Sequence, residues 1–259
     1  VIDLHIHLLP GIDDGPADAE GTVALARACV ADGVRAVAAT PHVSESHPST
    51  PQQIAQALAR ARAALEQAAV PLELHSGAEI AIDRLDGLSD DDLRALTIAG
   101  GGAYILIETP YAAWPMDLEQ HAGRLATLGV RAILAHPERS AGVQAGGGID
   151  RLEHAVGRGV YCQVTAGSLA GRFGRTAQAM ARTLLERELV HVIASDAHDA
   201  ERRPPRMTEA AAAVGSEPLA NWLTEAAPLA ILRGERLPPR PAPPARRGGG
   251  VLGRLRRRS

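Results

Sequence analysis

Lysine is missing from this chain: all 27 of its basic residues are arginine. Its absence excludes a phosphate-binding Walker lysine, a Schiff-base lysine and a lysine general base. Aromatic residues are scarce, at 2% of 259 positions, so the core has to be built from Ala, Leu, Val and Ile. Two cysteines, Cys29 and Cys162, are too few for a disulfide framework or a zinc–thiolate site. No apolar run reaches the length of a membrane span and no signal-peptide pattern precedes the first apolar segment, so the sequence reads as cytoplasmic. Acid is missing from the last twenty residues, which carry seven arginines; set those aside and the formal charge of −3 becomes −10 for the rest. An acidic body suits cation binding and argues against nucleic acid as a partner.

What is present alternates. Apolar, β-rich runs at 2–5, 34–40, 72–77, 103–108, 131–136, 160–165 and 189–195 are separated by helix-patterned stretches. The clearest are 19–32, after Asp18, and 50–69, with Thr50 as N-cap and Pro51 in the first turn. Shorter ones fall near 89–96, 117–128, 149–158 and 175–188, with further helices at 206–214 and 217–232. Seven strand–helix units predict an α/β fold with parallel strands, most economically a closed β/α barrel, with a doubly wound open sheet as the alternative. From residue 236 the composition turns to Pro, Gly and Arg, which predicts a disordered tail behind a domain of residues 1–235. The tail's plain reading is a solvated one; its basic ending VLGRLRRRS could also touch an anionic membrane surface, giving a peripheral position at the inner face.

The chemistry collects where the strands end. His5 and His7 close the first, and on a strand positions i and i+2 share a face. His42 follows the second, Glu79 the third, Glu108 ends the fourth, His136 the fifth, and Asp196 and His198 follow the seventh. In a β/α barrel these ends form one rim, where active sites lie. Imidazoles and carboxylates without thiolates suit Mn, Fe or Zn. Several such ions close together make hydroxide available from water near neutral pH, a nucleophile suited to a phosphate ester. Arg139, three residues after His136, and Arg203, five after His198, are placed to supply bidentate donors to phosphate.

At these residues the sequence resembles the PHP (polymerase and histidinol phosphatase) metallohydrolases, and more narrowly the bacterial PHP-type tyrosine phosphatases of capsule and exopolysaccharide loci. The carriers, in order, are DLHIHLLPGIDDGP, ATPH, GAEI, IETP, AHPER and SDAHDAERRPPRM, spread over residues 1 to about 235. The resemblance implies a distorted seven-stranded (β/α) barrel and three divalent ions, with manganese expected and iron or zinc as alternatives. By the same resemblance His5, His7, Glu79 and Asp196 hold the first ion, and Glu79 bridges to the second, completed by Glu108 and His136. His42 and His198 hold the third with Asp14, Asp13 being the alternative. Arg139 and Arg203 bind phosphate. The implied activity is hydrolysis of phosphotyrosine on the tyrosine-rich tail of a bacterial kinase that controls polysaccharide polymerisation and export. The rival readings are a phosphatase for a small ester such as histidinol phosphate or a nucleotide, and a non-catalytic binding module.

Other candidates are weaker. His47, His75, His121, His154 and His191 read as structural, with His47 the one nearest a rim. Tyr111 and Trp114 read as loop packing, with a flanking role beside an aromatic substrate as the alternative. Cys29 and Arg35 have the Cys-x5-Arg spacing of cysteine-dependent tyrosine phosphatases, but the order of helix and strand is reversed.

Overall fold

The computed structural model describes residues 1–242. Nine strands run β1 (Ile2–Ile6), β2 (Ala36–Ala39), β3 (His42–Val43), β4 (Glu73–His75), β5 (Glu79–Ala81), β6 (Tyr104–Glu108), β7 (Arg131–Ala135), β8 (Tyr161–Thr165) and β9 (Val192–Ala194). All pairings are parallel, in the orders β1-β2-β4 and β3-β5-β6-β7-β8-β9. Nine stand where seven were expected because two expected strands resume after a break. Proline at 41 has no N–H to give to a ladder, so β2 stops and β3 begins beyond it. Between β4 and β5 the chain passes close by at Gly77, where a Cβ would sit 3.0 Å from Thr40 Cγ2.

Single hydrogen bonds carry the ring across these breaks. Thr40 N–H donates to Ile6 O at 2.9 Å and Glu79 N–H to Pro41 O at 3.0 Å. On the far side, Asp196 N–H donates to His5 O at 2.7 Å and His7 N–H to Ala197 O at 2.9 Å, which joins the end of β9 back to β1. The result is a β/α barrel. Alternate residues of its strands, among them Ile2, Leu4, Ala36, Ala38, Leu106 and Ile133, form one buried cluster, small enough to close without aromatics other than Tyr104. A larger apolar cluster lies between strands and helices.

The helices follow local signals. Helix Ala19–Ala31 is capped by Asp18, which accepts from Gly21 N–H, and helix Pro51–Gln67 carries a Thr50–Gln53 capping box with proline in its first turn. The expected helix over 217–232 is interrupted by a π-helical turn at Trp222–Ala226, next to Pro228, which cannot donate to the carbonyl one turn back. Beyond it, Trp222 Nε1–H donates to Pro238 O at 3.1 Å, and Arg240 donates to Val190 O at 2.6 Å with its guanidinium over the Trp222 ring. The start of the stretch expected as a tail thus lies along the body; its continuation at 243–259 falls outside the described residues. Among the described residues, no helix is long and apolar enough to cross a membrane.

Candidate metal centre

β1 delivers His5 and His7 side by side, their Nε2 atoms 3.3 Å apart. Facing them is Glu79, at the start of β5. Its Oε2 lies 3.3 Å from His5 Nε2, 3.4 Å from His7 Nε2 and 3.1 Å from His42 Nδ1, and its Oε1 2.9 Å from His136 Nε2. Asp196 Oδ1 stands 3.5 Å from both His5 and His7 Nε2. Glu108 closes the other side, 3.9 Å from His136 Nε2 and from His42 Nδ1. His198 Nε2 is 3.1 Å from Asp14 Oδ1, which is 3.6 Å from His42 Nε2. All nine expected donors meet at one site, at the strand ends. They form four overlapping groups of metal-ligand type: His7/Asp14/His42/His198, His5/His7/Asp196, His5/Glu79/His136 and His42/Glu79/Glu108.

The donor set fits divalent metal. Glu79 Oε2 is buried and accepts no hydrogen bond, although three imidazole nitrogens crowd round it. Lone pairs that converge without hydrogen-bond alignment are what divalent ions require, and burial without a partner is otherwise costly.

The supporting residues fix the candidate ligands. Asp13 Oδ2 lies 2.6 Å from His7 Nδ1 and accepts from His42 N–H at 3.1 Å, while its Oδ1 accepts from Gly15 N–H. Asp13 therefore orients a histidine, and Asp14 beside it faces His42 and His198. Gln163, on β8, places its Oε1 3.0 Å from His5 Nδ1 and accepts from His136 N–H at 3.2 Å. Two donors sit in left-handed backbone, His136 at φ 35 and Asp196 at φ 53, which costs a non-glycine residue about 1–2 kcal/mol.

Electrostatics are strongly coupled here. Burial alone would raise the carboxyls of Glu79 and Asp196, yet His5 and the other histidines hold both well below the usual range. Burial outweighs its neighbours at His42 and pushes it down to about 4, which keeps that imidazole neutral and able to ligate. Glu108 is raised by burial and by the charge of Glu79.

Arg139 and Arg203 converge on one atom, Asp196 Oδ2, the latter at 2.8 Å with a further bond to Asp196 O at 3.0 Å. Both border the cavity of about 320 Å3 that opens over the donors. His47 lies at its edge, stacked on His42 at 5.7 Å. Tyr111, read from sequence chiefly as loop packing, instead lines this cavity, 45% exposed and parallel to the His136 ring at 5.6 Å. Trp114 packs against the core as expected. The Cys-x5-Arg spacing dissolves: Cys29 is buried in a helix with its thiol pushed well up by burial, and Arg35 pairs with Glu225. His75, His121 and His154 pair with acids away from the site, and His191 Nδ1 accepts from Cys162 N–H.

Sequence reasoning missed Gln163, the orienting role of Asp13, and Phe173. Gln163 did leave a signal, being the one amide in the apolar run VYCQVT. Phe173 is the chain's single phenylalanine, 36% exposed, with Arg139 stacked 4.5 Å from its ring centroid.

A parallel β/α barrel with a histidine–carboxylate cluster at its strand ends defines a barrel protein with a candidate metal site. More narrowly, the chain belongs to the CpsB/CapC capsular polysaccharide synthesis family, whose sequence profile matches residues 1–222. It is 36% identical over 251 residues to tyrosine-protein phosphatase YwqE of Bacillus subtilis, covering 93% of this chain and 96% of the relative. It is 30% identical over 216 residues to tyrosine-protein phosphatase CpsB of Streptococcus pneumoniae, covering 81% and 88%. A solved structure from work on YwqE from Bacillus subtilis and CpsB from Streptococcus pneumoniae, described as unique metal-dependent tyrosine phosphatases, superposes with a TM-score of 0.83. Its identity is 33%, with 94% of this chain and 100% of that chain covered.

Proposed function

We propose that this protein is a metal-dependent protein-tyrosine phosphatase that acts in capsular polysaccharide synthesis on a tyrosine-phosphorylated kinase. One observation carries the reading: two arginines share a carboxylate of the donor cluster and border the cavity above it. Such an arrangement supports a phosphate site, since guanidiniums and candidate metal ligands border the same cavity.

In this reading His5, His7, Glu79 and Asp196 hold one divalent ion, Glu79, Glu108 and His136 a second, and His42, His198 and Asp14 a third. Manganese is the expected metal, with iron or zinc as alternatives. The ions supply Lewis-acid activation of the ester and a nucleophile from water at neutral pH. The chain does the rest. Arg139 and Arg203 turn from Asp196 toward the phosphate oxygens and neutralise the charge that builds on them. Asp13 and Gln163 keep His7 and His5 aimed. Tyrosinate, whose conjugate acid has a pKa of about 10, leaves without much help from an acid, and none is assigned. The phosphatase domain is proposed to span residues 1–235, with 236–242 lying along it, and the arginine-rich end is a solvated tail or a peripheral contact to anionic membrane.

The test is phosphate release from a phosphotyrosine peptide with added Mn2+, beside a chelated control and histidinol phosphate. Release should be chelator-sensitive and favour the peptide. Arg139→Ala and Arg203→Ala should each lower kcat/KM about a hundredfold. Saturating Mn2+ should also raise the melting temperature by several degrees, since ligand at a hundred times Kd adds about 2.7 kcal/mol. Preference for histidinol phosphate would replace the substrate and keep the metal site; release that survives chelation would overturn the metal reading.

A further inference from the structure

Next to the metal cavity lies a second one, of about 350 Å3, that shares two wall residues with it, Asp196 and Arg203. Its other walls include Arg172, Phe173, Arg202 and Arg206. Four arginines around one small cavity are out of keeping with a body of net negative charge. They are also poorly compensated. Asp196, the one carboxylate in the lining, is already bound by Arg139 and Arg203. Glu209 serves both Arg172, at 3.7 Å, and Arg206, at 3.2 Å. Arg202 makes no ion pair within 4 Å among the described residues, though Asp199 lies close enough to feel its charge, and Arg203 Nε is buried without a hydrogen-bond partner.

The floor is apolar and shaped. Phe173 carries the guanidinium of Arg139 at 4.5 Å and that of Arg203 at 5.9 Å from its ring centroid. The ring can occupy this place because residue 167 is glycine: a Cβ there would stand 2.7 Å from Phe173 Cε2. An aromatic ring that carries two guanidiniums, with Arg172, Arg202 and Arg206 around the same cavity, suits an oxyanion. The cavity abuts the phosphate position across one side chain, Arg203, so a single ligand can reach both.

We infer that this cavity is a second anion subsite, which takes a carboxylate or a further phosphate lying within three residues of the phosphotyrosine on the same polypeptide. The inference rests on the phosphotyrosine reading and sharpens it to acidic or multiply phosphorylated segments. A small phosphate ester has nothing to place there. An extended peptide does, since alternate side chains stand about 6.5–7 Å apart.

The experiment uses the full chain with Mn2+ at low salt. One phosphotyrosine peptide is compared in versions flanked by alanine, by aspartate, by a second phosphotyrosine and by arginine. The acidic or doubly phosphorylated version should have kcat/KM about tenfold above the alanine version, as for a charge-assisted hydrogen bond. The gap should shrink at about 0.5 M salt. Preference for aspartate identifies a carboxylate source; preference for the second phosphotyrosine alone identifies phosphate. In the Arg172→Ala/Arg202→Ala protein, whose altered side chains are exposed and so do not threaten folding, the ratio should fall toward one. Arg202→Glu should shift preference toward the arginine-flanked peptide. Equal rates for all turned-over peptides, or a preference that survives the double substitution, would overturn the subsite and leave the phosphatase reading intact. No turnover of any phosphotyrosine peptide would sink both.

Discussion

The Glu79→Gln protein should release phosphate at about a thousandth of the native rate, and should retain less metal after dialysis, while its far-ultraviolet dichroism stays native. The size of the effect follows from position. Among the described residues, Glu79 is the one side chain within 3.4 Å of the ring nitrogens of four histidines, His5, His7, His42 and His136. In the proposed assignment it is shared between two ions, so a single change weakens both. Glutamine keeps the shape, loses the charge and turns one acceptor into a donor that faces imidazole nitrogens. Loss of a preorganised charge at such a centre costs about a hundred- to a thousandfold in rate, and lowered occupancy adds to it. Asp13→Asn should cost less, about ten- to a hundredfold, because Asp13 acts through His7. Metal content by mass spectrometry separates the two causes. Native metal stoichiometry with native turnover in the Glu79→Gln protein would remove Glu79 from the centre.

How much of this was legible in the sequence depended on range. Helix Pro51–Gln67 was readable to within two residues because its cap, proline and periodicity are all local. β3 and β5 were not, since two or three residues carry no period, and their pairing depends on the breaks beside them. At the site, the donors were visible because imidazoles and carboxylates at strand ends are conspicuous. Their supports were not. Gln163 reaches His5 across 158 positions, and nothing local announces that contact. The backbone of His136 even runs against local expectation. A residue before proline favours extended backbone, yet His136 is left-handed, held by its N–H to Gln163 and by its place opposite Glu79. Phe173 was overlooked for a different reason. A lone phenylalanine in GRFGR reads as loop, and only the fold sets it against Gly167 and beneath two guanidiniums.

Asp3 joins fold and site, and it carries the second large effect. Its carboxylate is fully buried; Oδ1 accepts from His5 N–H at 3.2 Å and Ser195 N–H at 2.9 Å, while Oδ2 has no partner. The Ser195 bond ties β1 to the segment after β9 that presents Asp196, while the His5 bond stays within β1 and fixes the backbone that presents His5 and His7. Burial raises its pKa from 3.8 to about 6, against the hydrogen bonds and the charge of His5. With the folded value above the unfolded one, the native state binds the extra proton, so Asp3 favours folding below pH 3.8 and loses that contribution as pH climbs through 6. Asp3→Asn keeps an acceptor and is neutral at every pH. Measured on chelated protein, its melting temperature should match the native one near pH 4 and exceed it above pH 6.5. The difference there corresponds to about 2–3 kcal/mol. Asp3→Ala should behave oppositely, with both N–H groups orphaned and about 2–4 kcal/mol lost at every pH. It should also bind Mn2+ more weakly, because the clamp behind His5 is gone. A melting difference for Asp3→Asn that is flat with pH would show that the charge of Asp3 is not held against burial. Equal Mn2+ affinity in Asp3→Ala would show that β1 keeps its two histidines in place without the clamp.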